Sequence, residues 1–87
     1  MTNVDLLGIG FKEVPTFTIG KNVLYDLGRN RQLSVSCVGT PNEMLFISEV
    51  DSEDRCKVLD AICLHNWDYD GELKLEKVKA IIGVLEG

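Results

Sequence analysis

The C-terminal segment LKLEKVKAIIGVLEG, residues 73–87, places Leu75, Val78, Ile81, Ile82 and Leu85 at i, i+3, i+6, i+7 and i+10. That spacing puts five apolar side chains on one stripe of an α-helix and leaves Glu76, Lys77, Lys79 and Glu86 off it. A helix of this length holds together only when its stripe is covered, so the rest of an 87-residue chain has to supply the cover. Gly83 sharpens the requirement, because glycine inside a helix costs about 1 kcal/mol relative to alanine.

The preceding residues have the pattern of strands. In TFTIGKNVLYDLG, residues 16–28, Phe17, Ile19, Val23, Tyr25 and Leu27 fall on odd positions, and Gly20 interrupts them as a bulge or a bend. GRNRQ is a polar turn opened by Gly28. In LSVSCV, Leu33, Val35 and Cys37 alternate with Ser34 and Ser36, as in a half-buried strand. GTPNE is a tight connection through Pro41 and Asn42, and MLFISEV follows as a further β-rich run, so residues 33–50 read as a β-hairpin. After the polar turn DSEDR, residues 57–65 are open to two readings, a helix with Asp51 or Ser52 as N-cap or a strand returning along 44–50, and the lack of a clean helical stripe favours the strand. The expected fold is α+β: a small antiparallel β-meander of four or five strands, open or curled toward a barrel, with one C-terminal amphipathic helix packed on it. Residues 1–87 make a single domain, with 1–14 as a loosely ordered lead-in; Gly8-Ile9-Gly10 there lacks the third glycine and the helix of a dinucleotide fingerprint.

A net charge of −5 is unevenly spread. Residues 1–40 carry four bases against three acids, and residues 41–87 five against eleven, so most of the surface repels nucleic acid. The N-terminus lacks a basic region and a long apolar run, and no stretch approaches the ~20 apolar residues of a membrane span. Cys37, Cys56 and Cys63 form no C-x-x-C pair and read as buried free thiols of a reducing compartment. A soluble, cytoplasmic protein without a membrane or nucleic-acid partner is expected.

HNWDYDGELKLEK, residues 65–77, looks most like chemistry. Measured from Asn66, an EF-hand-type calcium loop would take Asn66, Asp68, Asp70, Gly71 and Leu73 in register, but its twelfth position, where a bidentate glutamate belongs, is Lys77. Glu76 stands one place early. The segment therefore reads first as an Asp-Gly turn, in which Asp70 binds local amides and Gly71 takes a positive φ, with a weak calcium site at Asn66, Asp68, Asp70 and Glu76 as the alternative. His65, the single histidine, has Cys63 two residues away, on the same face if the segment is a strand. Zinc needs three or four clustered ligands, which this pair does not provide.

Two surface sets remain. Arg29, Asn30 and Arg31 with Lys21, and Thr40 and Asn42 of the next connection, suit a small anion such as a nucleotide, in a pocket shared between subunits. Trp67 and Tyr69, beside the acidic stretch containing Glu49 and Asp51, suit a protein interface. No catalytic constellation or cofactor motif is present, so the expected function is that of an acidic, non-catalytic, homo-oligomeric protein acting on another protein, an inhibitor or accessory factor of phage or mobile-element type. Binding of an anionic ligand or of calcium stands as the alternative.

Overall fold

The computed structural model describes residues 2–14, 21–54 and 57–86. Its five strands, β1 (Lys12–Val14), β2 (Lys21–Gly28), β3 (Arg31–Val38), β4 (Met44–Val50) and β5 (Val58–Asn66), form one antiparallel sheet in sequential order. Three helices accompany it: α1 (Asn3–Gly8), α2 (Trp67–Asp70) and α3 (Leu75–Glu86). The meander is thus five-stranded and open. β1 and β5 are its two edges, and β1, with three residues, is too short to close the sheet into a barrel. No helix among the described residues is long and apolar enough to cross a membrane.

Directly paired residues in an antiparallel sheet share a face, so the register sorts the side chains. Val23, Val35, Leu45 and His65 make one cross-strand row, and Tyr25, Leu33, Ile47 and Ile62 the next. A third row on that face holds Arg31, Glu49 and Asp60. The opposite face is more polar, with Leu24, Ser34, Phe46 and Cys63 in one row and Asp26, Gln32, Ser48 and Ala61 in another.

The stripe of α3 lies on the first face. Val78 is fully buried in one cluster with Val23, Leu33, Val35 and Leu45, and Leu75, Ile81, Ile82 and Leu85 pack against it. Leu73, ahead of the helix, is also buried.

The N-terminal segment corrects the expected loose lead-in. Thr2 Oγ1 accepts the Asp5 N–H at 3.2 Å while the Asp5 carboxylate accepts the Thr2 N–H at 3.0 Å, a reciprocal capping box that starts α1. These Thr2 bonds, and more weakly the charge of Lys79 on α3, hold the Asp5 carboxyl below its ordinary value. A six-residue helix is unstable alone. Burying Leu6 and Phe11, at about 1.5–3 kcal/mol each, offsets that.

Gly10 makes this docking possible. Its φ is +113°, and a Cβ there would lie 2.9 Å from the Tyr25 ring, which in turn tilts 49° against Phe11 with centroids 5.3 Å apart. The Tyr25 hydroxyl donates to Glu86 at the end of α3, and this acceptor, with lesser help from desolvation, raises the phenol above its usual value. One tyrosine therefore joins the N-terminal segment, the sheet and the last turn of the final helix.

The cysteines depart from expectation. Cys37 has φ +56° and ends the alternation of β3, so Val38 is buried in its stead. A register shift between Leu45 and Phe46 makes Leu64 an extra residue in β5, so Cys63 and His65 point to opposite faces and Cys63 is exposed. Phe17, Ile19, Gly20 and Cys56 lie outside the described residues.

Gly10→Ala is expected to lower unfolding free energy by about 1–3 kcal/mol through backbone strain and the ring clash, while Gly8→Ala, with open space at its Cβ, does not; urea denaturation compares them. The Tyr25 contribution is fully present below about pH 10, the unfolded tyrosine value, and is lost as pH rises through the higher folded value. Glu86→Gln should move the ultraviolet titration of Tyr25 back toward that ordinary value.

Candidate functional site

The region left without cover is the flank of the sheet at β5. Val58, Leu59 and Ile62 are exposed there, Ile62 at 59%, although Ile62 stands in the same row as buried Leu33. The stripe of α3 is centred on the row Val23, Val35 and Leu45, and the helix leaves a trough between itself and β5. This trough, about 460 Å³, is walled by Ile47, Leu64, Ala80, Ile81, Val84 and Leu85 with Lys77 as its cation. Val84, at 81% exposure, rises from its outer lip. A second hollow of about 230 Å³ continues it past Ile47 to Ile62, Arg31, Glu49 and Asp60. The two make one apolar strip with two carboxylates and an arginine at one end and a lysine at the other.

The basic end is tied to the interior. His65 is 2% exposed, its Nε2 lies 2.9 Å from the Gly71 carbonyl and its Nδ1 lies 2.7 Å from Lys77 Nζ. A carbonyl can only accept and an ammonium can only donate, so the ring carries its proton on Nε2 and receives the Lys77 bond at Nδ1. This single buried ring pins the α2–α3 connection and the first turn of α3 to the last part of β5.

The other residues singled out in the sequence are distributed around the molecule. Arg29 (φ +54°) and Asn30 (φ +61°) form the two-residue loop between β2 and β3, both left-handed as an I′ hairpin requires. Arg29 and Arg31 border a hollow of about 690 Å³ that they share with the carboxylates of Asp26 and Glu86, so its formal charge balances. Thr40 and Asn42 sit at the other end of β3, roughly 23 Å away at about 3.3 Å per strand residue. There the Thr40 hydroxyl donates to the Cys37 carbonyl at 2.6 Å and accepts the Asn42 N–H at 3.2 Å. Within one subunit these residues form no common pocket, and the Lys21 side chain lies outside the described residues.

Trp67 and Tyr69 are both exposed on α2, at the end of the sheet where Met44 pairs with Asn66, whereas Glu49 and Asp51 lie at the opposite end of β4. Asp51 Oδ1 accepts the N–H groups of Glu53 and Asp54 and shapes the turn that leads toward β5. Trp67 instead walls a hollow with Thr40 and with Glu43, whose carboxylate accepts the Gly39 N–H at 3.1 Å. In the acidic turn, Asn66 Oδ1 caps α2 by accepting the Asp68 N–H at 3.0 Å, and Asp70 Oδ2 accepts the Asn66 N–H at 3.1 Å. Gly71 follows with φ +77°. Oxygens of Asn66 and Asp70 are thus engaged with local backbone, Glu76 lies in the first turn of α3, and no group of three or more His, Cys, Asp or Glu suited to a metal occurs among the described residues.

Comparison of the chain with protein-family models, with curated proteins and with solved structures finds no match. The strip of β5 and α3 escaped the sequence reading, although VLDAICL carried its trace: apolar residues on both faces of a strand that closes a sheet leave some of them uncovered.

Lys77→Met should leave His65 Nδ1 buried and unpaired, lowering stability by about 1–3 kcal/mol. Surface Lys79→Met should change it little, and thermal unfolding of the two variants side by side makes the comparison.

Proposed function

We infer that this chain is a small, non-catalytic cytoplasmic protein that acts by contact with another protein, and that the strip between α3 and β5 is its contact surface. The single observation that supports this reading is the continuity of apolar side chains from exposed Ile62 past Ile47 and across the trough to exposed Val84. Scattered apolar residues are ordinary on a protein surface, but a contiguous patch with charges only at its two ends has the composition of an interface, apolar in the middle and polar at the rim. Its shape argues for a macromolecule over a small molecule, because the trough is shallow, open along its length and nearly free of hydrogen-bonding groups that would orient a ligand. The Arg29 and Arg31 loop is a weaker candidate for an anion, since Asp26 and Glu86 share its hollow.

A thermal-shift series with nucleotides, inorganic phosphate and calcium at millimolar concentration separates the readings. A protein-binding module is expected to keep its Tm within about 1 °C throughout, whereas a ligand present at 100 times its Kd would add about 2.7 kcal/mol and move Tm by several degrees. A nucleotide or phosphate shift abolished by Arg29→Glu with Arg31→Glu, or a calcium shift abolished by Asp70→Ala, would replace the protein-contact reading with the corresponding ligand.

A further inference from the structure

We propose that the strip is occupied by a second copy of the same chain, joined through β5 about a two-fold axis passing near Ile62; this builds on the reading of the strip as a protein-contact surface. The backbone supports it first. Among the described residues no strand pairs with the outer edge of β5. The Val50 N–H turns to Asn30 on the β3 side, so Ile47 and Glu49 turn toward β5 and their partners Ile62 and Asp60 turn inward. Ala61, whose N–H bonds the Asp60 carboxylate at 2.9 Å, therefore points out of the sheet. Asp60, Ala61, Ile62 and Cys63 pair in regular register with Glu49, Ser48, Ile47 and Phe46, between irregularities at Leu59 and Leu64. Alternation over that window turns the Cys63 amide outward together with that of Ala61. An antiparallel copy centred on Ile62 sets Ala61 against Cys63 of the second copy and Cys63 against its Ala61, so both outward residues of each chain gain strand partners.

The side chains fit the same register. Ile62 meets Ile62 of the second copy at the axis, at the exposed end of the row it shares with Ile47 and Leu33. Asp60 falls beside Leu64 of the second copy, and Leu64 shares its trough with Lys77. The acidic end of one strip therefore lies against the basic end of the other, twice per dimer, which is the charge complementarity that an isologous contact demands. Between Asp60 and His65 the edge carries no charged side chain, lysine or proline of the kind that natural sheets use to keep an edge unpaired. Self-pairing about a two-fold also closes the edge, so that association stops at two copies.

Analytical ultracentrifugation of the full chain over micromolar to submillimolar concentrations tests this, with amide exchange as the local probe. The expected species is twice the 9.7 kDa chain, with exchange at Ala61 and Cys63 slowing as concentration rises. Ile62→Lys, at an exposed position, should give a folded monomer with unchanged Tm extrapolated to low concentration. Asp60→Lys, which sets lysine against Lys77, should weaken the dimer about ten-fold or more. Val84→Lys provides a second disruption on the helix side. A wild-type monomer at every concentration overturns the self-pairing alone and leaves a heterologous protein as the strip's partner. A dimer that survives both Ile62→Lys and Val84→Lys, with Ala61 and Cys63 unprotected, places the association on another surface and likewise overturns self-pairing through β5.

Discussion

Burial of the α3 stripe against one face of the meander is the contact on which the other features hang. Val78 is its deepest point, and the rows headed by Val23 and Tyr25 form the floor beneath it. Without that lid the sheet would expose an apolar face, and without the sheet a twelve-residue helix containing Gly83 would not persist. The remaining elements brace the lid at its two ends. His65 and Lys77 hold its first turn, and Tyr25 meets Glu86 at its last.

The same arrangement creates the strip. One helix is about 10 Å wide and five strands spaced about 4.8 Å apart are wider. With α1 serving the β1–β2 side, cover runs short at β5. Ile62 is exposed for this reason and not because its sequence neighbourhood is polar. Among the described residues the uncovered flank coincides with an edge that no strand pairs, so the apolar surface open to cover and the backbone open to a further strand lie at the same place.

Electrostatics follow the same geography. Eleven of the fourteen acids lie after residue 40, yet among the described residues they form no group suited to a metal. Asn66, Asp70 and Asp51 bind nearby backbone amides, each shaping a turn or a short helix. The arginines of the β2–β3 loop likewise face carboxylates brought from Asp26 and from the far end of the chain at Glu86. Charge that looks available along the sequence is partly balanced once strands and helix ends are assembled.

Local pattern was enough for much of the architecture. The 3.6-residue spacing from Leu75 to Leu85, the alternation through Val23, Tyr25 and Leu27, and the turn residues at Gly28 and Pro41 each act over a few residues, so α3, the strands β2 to β4 and their order were legible, whereas β1 was not and β5 was open between strand and helix. The turn at Asp70–Gly71 belonged to the same class. Three matters depended on distant partners. The N-terminal residues became ordered because Leu6 found a core and Gly10 met the Tyr25 ring, fifteen positions on. Cys63 and His65 separated to opposite faces because the register against β4 made Leu64 an extra residue. The exposed flank of β5 arose from the area the helices could reach. A sequence specifies local periodicity directly, but which apolar residues stay uncovered is decided by how many elements the folded chain can lay over its sheet.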